Sequence, residues 1–260
     1  EFAVHLPMQA RPQLASSENE QSSVFKDPLG TTKVVRSELV GSFMKSKNVV
    51  VAIDGPAGAG KSTVARALAD ALQLKYLDTG AMFRAVTSLV LRDGINLNDE
   101  VAVGFIATNM DLDMGNEQVI ANGIDVTTDI RSTAVTSAVS TIAANSLVRS
   151  NMRDRQRAWS DANCGGVIEG RDIGTVVFPD AVLKVYLTAS PRVRAERRVA
   201  EAGGDINEIE RSIAERDLKD STRADSPLQE SADSVVVDTS NRSIEEIVTS
   251  IVGLVEERLS

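Results

Sequence analysis

Continuous runs of apolar residues predict the buried strands of a parallel sheet. Such runs occupy 49–53, 166–168, 182–187 and 235–237, with few polar residues inside them. Strands that are buried on both faces carry runs of this kind, whereas strands with one face in water alternate apolar and polar side chains. The pattern therefore indicates a sheet that is covered by helices on both faces.

Helical spacing follows the first run and recurs at the end of the chain. The segment 62–72 places its valine and leucine residues on one stripe, which predicts an amphipathic helix. A short strand at 75–77 and a second helix at 80–92 complete the strand–helix–strand unit that builds parallel sheets. The closing helix begins with a Ser-x-x-Glu capping box at 243–246. These elements define an α/β fold class, a parallel sheet flanked by helices.

Two stretches differ from this pattern. Residues 1–46 are rich in Pro, Ser, Gln and Glu without sustained periodicity, so we expect a flexible extension, with a short helix near 34–43. Residues 100–145 contain alternating segments that predict a small β-rich hairpin region inserted between core elements. The predicted organisation is therefore an extension over 1–46 and one α/β domain over 47–260.

Composition narrows the chemistry. The formal net charge of −9 argues against a general nucleic-acid-binding surface, and it means that an anionic ligand needs a local basic pocket. The only histidine is His5, which argues against a Ser–His–Asp hydrolase and a multi-histidine metal site. The only cysteine is Cys164, so a reducing compartment fits best. No apolar run approaches the ~18 residues of a membrane span, so we expect no contact with a membrane. We also expect a monomer, located in the cytoplasm or, alternatively, in a plastid stroma.

A complete phosphate-binding motif follows the first predicted strand. Residues 55–62, Gly-Pro-Ala-Gly-Ala-Gly-Lys-Ser, match G-x-x-x-x-G-K-[ST] between a strand and a helix. Glycines let backbone N–H groups turn toward phosphate oxygens, and the helix N-terminus adds partial positive charge. Lys61 is placed to reach the β- and γ-phosphates, and the Ser62 hydroxyl to coordinate Mg²⁺. The residues predicted to bind a nucleoside triphosphate are Gly55, Pro56, Ala57, Gly58, Ala59, Gly60, Lys61, Ser62 and Thr63.

Two charged clusters leave other strands toward the same edge of the predicted sheet. Asp-Thr-Gly-Ala-Met-Phe-Arg at 78–84 follows the second strand, and Glu-Gly-Arg-Asp-Ile-Gly-Thr at 169–175 follows the third. Because α/β sheets bind ligands at the carboxyl ends of their strands, the clusters indicate a pocket for an anionic acceptor. Arginines also gather at 192–198 and 216–223, where they either neutralise a transferred phosphoryl group or form surface ion pairs.

Several sequence blocks occur together in an order that matches one enzyme family. They cover 54–62, 77–84, 170–181 and 215–217. With these blocks the chain resembles the bacterial-type cytidylate kinase family from about 49 to 259. The Gly-Arg-Asp-x-Gly-Thr-Val-Val-x-Pro-x-Ala block at 170–181 is far more specific than the phosphate-binding motif, which many nucleotide-binding proteins share.

The resemblance implies a kinase that moves the γ-phosphate of ATP to CMP or dCMP with Mg²⁺ as cofactor, in pyrimidine nucleotide metabolism. It implies a P-loop core with a small monophosphate-binding insert at about 102–146 and a lid at about 190–223. The residues it assigns to the acceptor phosphate are Arg84, Arg171 and Arg223. Those assigned to the cytosine or its positioning are Thr79, Ser140, Arg149 and Asp172, and Asp220 is assigned to the ribose. Arg198 and Arg216 would clamp the transferred group, so the implied catalytic set is Lys61, Arg198, Arg216 and Asp172.

The chain departs from the family pattern at three points. Thr79 stands where many members have serine, which keeps the hydroxyl, and Phe83 stands where tyrosine is common. The chain between Arg198 and Arg216 is shorter than in members with a long lid. From the residues alone, two alternatives remain: a P-loop regulatory ATPase, and a kinase for another acceptor such as UMP, AMP or shikimate.

Overall fold

The computed structural model describes residues 48–115 and 118–260, together with the short strands β1 (Phe25–Lys26) and β2 (Thr32–Lys33). β1 and β2 pair antiparallel within a unit formed by Glu1–Ser37, and Glu38–Ser260 form a second unit. The helix predicted near 34–43 lies outside the described residues, as does most of the predicted extension. The rest of the description concerns the second unit.

A parallel sheet forms the centre of this unit. Its strands are β3 (Val49–Asp54), β4 (Tyr76–Asp78), β8 (Gly165–Glu169), β9 (Leu183–Thr188) and β10 (Val235–Asp238). The strand order is β10–β9–β3–β8–β4, and all four pairings are parallel. Each apolar run in the sequence contributes to one of these strands, which confirms the predicted α/β fold class.

Helices fill the connections. The α-helices in the described part of the chain are α1 (Lys61–Leu72), α2 (Thr79–Arg92), α3 (Glu100–Asn109), α4 (Thr133–Ala144), α5 (Ser146–Asn163), α6 (Pro191–Ala202), α7 (Ile206–Thr222) and α8 (Ile244–Leu259). α8 starts at the predicted capping box, in which Ser243 and Glu246 each accept the other's backbone N–H. No helix among the described residues combines the length and apolar character needed to cross a bilayer.

Alternate residues of β3 belong to two separate cores. Val49, Val51 and Ile53 pack into the layer that contains the apolar stripes of α1 and α8. Val50 and Ala52 pack into the layer that contains apolar residues of α2, α4 and α5. The sheet is therefore covered on both faces, which explains why its strands are continuously apolar.

The region 100–145 is mostly helical, which corrects the prediction of a β-rich region. α3 and α4 flank a three-stranded antiparallel sheet made of β5 (Leu112–Met114), β6 (Val119–Ala121) and β7 (Ile124–Asp125). The prediction holds for 112–125 alone. Both helix starts have local signals, because Asp99 accepts the Ala102 N–H and Ser132 accepts the Val135 N–H as N-caps.

Candidate active site

The connection between β3 and α1 forms the phosphate loop, residues 55–62. The ammonium group of Lys61 donates to the carbonyl oxygen of Pro56 at 2.7 Å. Gly60, just before α1, has a φ of 83°, a left-handed conformation that glycine adopts without strain. At Gly55 a Cβ atom would lie 2.0 Å from the carbonyl oxygen of Leu187, so only glycine fits there. The loop has the local geometry that its sequence predicts.

Lys61 is buried close to other charges. Burial, followed by the positive charge of Arg171, lowers the pKa of Lys61 to about 7, while Glu169 and Asp54 act in the opposite direction. With a pKa of about 7, the lysine is roughly half charged at neutral pH. A polyphosphate beside it would favour the charged form.

Asp54 links the phosphate loop to the 170–175 segment. Its carboxylate accepts the backbone N–H groups of Ile173 at 2.9 Å and Gly174 at 2.7 Å. Burial raises the pKa of Asp54 to about 6, although these two hydrogen bonds lower it. The contact fixes the later part of the second charged cluster, at 173–174, against the end of β3.

Glu169 is a residue of this site that the sequence analysis did not assign. It lies at the end of β8, is buried, and accepts a hydrogen bond from the Tyr76 hydroxyl. Burial and then Asp78 raise the pKa of Glu169, and Lys61, Tyr76 and a hydrogen bond from Ser62 oppose the rise. An acidic residue at the end of the strand beside β3 was the available signal, because neighbouring parallel strands end at the same edge.

The first charged cluster, 78–84, is held at the N-terminus of α2. Asp78 caps the helix by accepting the Ala81 N–H at 2.9 Å, and it forms an ion pair with Arg84 at 2.8 Å. The Thr79 hydroxyl donates to the carbonyl oxygen of Glu169 at 2.7 Å and is buried. Thr79 thus joins α2 to β8, while Arg84 faces the cleft described below.

The second cluster places Asp172 between two arginines. Its carboxylate forms ion pairs with Arg149 and, at 3.4 Å, with Arg223. The guanidinium of Arg149 also lies over the ring of Phe83, 5.4 Å from its centroid. Burial, and then the charge of Arg149, lowers the pKa of Arg223 to about 10. Arg223 lies one residue beyond the end of α7.

Asp220 joins the remaining acceptor residues. It accepts a hydrogen bond from Ser140 at 3.2 Å and from Arg171 at 3.1 Å. These contacts connect α4, the 170–175 segment and α7 around one carboxylate. Ser140, Arg171 and Asp220, which are far apart in the sequence, are therefore brought together.

The arginines of α6 and α7 divide into different environments. Burial, and then the charge of Arg171, lowers the pKa of Arg216 to about 10, and its buried Nε atom has no hydrogen-bond partner among the described residues. Arg198 is half-exposed and pairs with Glu201 at 3.2 Å. Arg192 is exposed and pairs with carboxylates of both helices. For this arginine the structure therefore shows a surface ion pair, the second of the two roles that the sequence left open.

The phosphate loop and both clusters open into one cleft of about 1920 Å³. Its lining includes Lys61, Ser62 and Thr63, Glu169, Arg198 and Arg216, and every predicted acceptor residue: Thr79, Arg84, Ser140, Arg149, Arg171, Asp172, Asp220 and Arg223. Gly55, Pro56 and Ala59 lie behind the lining. The cleft therefore concentrates positive charge in a chain whose net charge is −9.

The parallel sheet, the phosphate loop at its carboxyl edge and the basic cleft define a P-loop α/β nucleotide-binding protein. The family model described as cytidylate kinase matches residues 51–257. The chain belongs to the cytidylate kinase family.

Curated relatives are of two lengths. The chain is 45% identical over 222 residues to a cytidylate kinase from Corynebacterium efficiens, covering 82% of this chain and 96% of that protein. It is also 45% identical over 245 residues to a bifunctional pantoate ligase/cytidylate kinase from Trichormus variabilis, covering 89% of this chain and 45% of that protein. The chain thus spans less than half the length of the bifunctional relatives it matches.

Proposed function

We propose that the chain transfers the γ-phosphate of ATP to CMP or dCMP, giving ADP and CDP or dCDP. The observation that carries the proposal is the single cleft in which the phosphate loop faces the basic acceptor cluster. Membership of the cytidylate kinase family supports this acceptor over the alternatives raised by the sequence. A regulatory ATPase has no comparable need for a second anion-binding pocket beside its phosphate loop.

The donor side fits the magnesium complex of ATP. The Ser62 hydroxyl and the Glu169 carboxylate are oxygen groups of the kind that Mg²⁺ accepts, directly or through water. Bound there, Mg²⁺ would neutralise charge on the β- and γ-phosphate oxygens. Lys61 would leave the carbonyl of Pro56 and donate to the same phosphates.

The acceptor side needs charge and orientation more than a base. A nucleoside monophosphate already carries an anionic oxygen as its nucleophile, so no proton has to be removed from it. Arg84 and Arg171 supply positive charge at the cleft, and both are oriented by carboxylates, Asp78 and Asp220. Asp172 is held by Arg149 and Arg223, which favours an orienting role for it over a role as general base.

The proposed lid over 190–223 would contain α6 and α7, and the proposed insert over 102–146 would contain most of α3 and all of α4. Closure of these parts around both substrates would exclude water and direct the phosphoryl group to the acceptor. We expect the active form to be a monomer. A cytoplasmic or plastid location and the lack of nucleic-acid binding remain predictions.

An assay of ADP release across acceptors tests the assignment. We expect MgATP turnover to depend on CMP or dCMP, with weaker stimulation by UMP and none by AMP or shikimate. Turnover that no acceptor stimulates would favour a regulatory ATPase. Stimulation mainly by UMP, AMP or shikimate would keep a kinase but replace the acceptor.

Two substitutions separate the donor and acceptor sides. Lys61→Ala removes the ammonium group from the phosphate loop, and we expect kcat to fall by about 10²-fold or more because transition-state charge loses its partner. Arg171→Ala should mainly raise the KM for CMP. Arg192→Ala is the control, because this exposed side chain lies outside the cleft lining. Near-normal kinetics in both site variants would contradict the assignment.

A further inference from the structure

The peptide group between Pro56 and Ala57 is held from both sides. Its N–H, on Ala57, donates to Oδ1 of Asp217 at 3.0 Å. Its carbonyl oxygen, on Pro56, accepts from the ammonium group of Lys61 at 2.7 Å. Because a trans peptide is planar and its N–H and C=O point in opposite directions, fixing one of them orients the other. Asp217 of α7 therefore orients the carbonyl on which the lysine rests.

A second residue completes the contact from α6. Arg194 is buried, donates to the carbonyl oxygen of Ala57 at 3.0 Å, and forms an ion pair with Asp217. The space beside Gly58 is filled by Arg194, whose Cβ would lie 3.0 Å from a Cβ at that glycine. The helices α6 and α7, which carry Arg198 and Arg216, are thus attached to the same turn of the phosphate loop.

A small apolar cluster supports this attachment. Ala57 packs with Ala195 of α6 and Ile213 of α7, all three of them buried. The ion pair lies beside this cluster, where water competes weakly for the hydrogen bonds. The contact is therefore well placed to transmit the position of the helices to the loop.

We propose that Arg194 and Asp217 form a clamp that positions the phosphate loop and Lys61 for the donor nucleotide. Both are positioning residues, since they act on the loop backbone. Asp217 follows Arg216 directly, so the turn of α7 that presents Arg216 to the cleft also inserts Asp217 into the loop. The clamp thereby couples the shape of the donor loop to the place of Arg216. The assignment of a catalytic effect to this coupling rests on the proposed kinase function.

An ion pair between Arg194 and Asp217 that only stabilised the fold would have different consequences. Loss of such a pair lowers the free energy of unfolding but leaves the folded enzyme with its normal substrate affinities. Loss of the clamp allows the 56–57 peptide to turn, so the backbone N–H groups of the phosphate loop lose the arrangement that would bind the donor phosphates. The affinity for the donor should then weaken. The affinity for the acceptor should not change, because Asp220 and Asp172 hold the acceptor residues through contacts that do not involve Asp217.

Binding of the magnesium complex of a non-hydrolysable ATP analogue, measured by calorimetry, tests the clamp. For Asp217→Ala we expect the Kd to rise about ten- to hundredfold, the range for loss of a charged hydrogen bond. Asp217→Asn keeps an oxygen for the Ala57 N–H and should lose less. The control is Arg192→Ala, which removes an exposed pair on the same two helices, and it should bind like the unaltered chain.

Steady-state kinetics and a double variant complete the test. In Asp217→Ala the KM for ATP should rise and kcat should fall, while the KM for CMP stays unchanged. Adding Arg194→Met should cost little more, because the two residues act as one unit. Thermal unfolding of each variant corrects for loss of folded protein.

Two outcomes would overturn the clamp: unchanged analogue binding by folded variants, or a parallel rise in the KM for CMP. The binding measurement requires no acceptor, so it judges the clamp separately from the proposed function. An unaltered chain that binds the analogue but does not phosphorylate CMP would refute the function alone.

Discussion

The charge on Lys61 depends on its ligand. Its pKa of about 7 in the ligand-free chain leaves the amine mostly neutral at pH 8. Phosphate oxygens favour the ammonium form, so we expect MgATP binding at pH 8 to take up a proton. Because the free form holds fewer protons, affinity should fall as the pH rises from about 7 to the higher pKa of the complex.

Calorimetry of MgATP binding in buffers of different ionisation enthalpy measures this proton uptake at pH 8. The Lys61→Met variant supplies the control, since it cannot titrate at this position. Equal proton uptake by the variant and the unaltered chain would assign the proton to another group.

At the residue scale, sequence predicts contiguous motifs well and paired contacts poorly. Lys61 and Ser62 were found because their role follows from eight consecutive residues between a strand and a helix. Asp217 was visible among the arginines of α7, yet its partner is an N–H of Ala57, 160 positions away. The sequence does not assign a role to Glu169, because its contact with Tyr76 depends on the register of β4 and β8.

At the element scale, Asp54 connects the end of β3 to the segment after β8. Its pKa is raised from 3.8 to about 6 by burial, so the folded chain holds a proton that the unfolded chain releases at lower pH. The stability that this proton contributes is complete below pH 4 and is lost as the pH rises through 6. The free energy of unfolding of the unaltered chain, minus that of Asp54→Asn, should therefore decrease between pH 4 and 6.

Urea denaturation of both proteins across this pH range measures the difference. Subtraction removes the other carboxylates, because the variant keeps them and asparagine does not titrate. A difference that increases with pH would mean that the two backbone hydrogen bonds outweigh the burial of Asp54.

The elements themselves were largely predictable. The strands β3, β8, β9 and β10 came from apolar runs, and α8 came from its capping box. In the region 100–145 the sequence pattern predicts more strand than the structure contains. The alternating residues near β5 and β6 are a strong signal, whereas the helix caps Asp99 and Ser132 are single residues. A cap residue predicts the start of a helix reliably only when the residues after it show a clear helical periodicity. The residues of α3 do not, because this helix is apolar on most sides.

At the scale of the whole molecule, a net charge of −9 coexists with a cleft lined by arginines. Composition excluded a general polyanion-binding surface but did not locate the basic residues. Only the fold gathers arginines from α2, α5, α6, α7 and the segment after β8 into one space. The resemblance to the family predicts this grouping of arginines from the sequence. The chemistry of the residues alone predicts only that the acceptor is an anion.

The hydrogen bond between Asp54 and the Gly174 N–H joins positions 120 residues apart. Contacts of such high sequence separation form late in folding, because a long loop must close before they stabilise the chain. A nascent chain that has emerged only as far as α5 contains the entire phosphate-binding motif but lacks β8, the strand that pairs with β3. We therefore expect nucleotide to stabilise only those chains in which β3 and β8 have already paired.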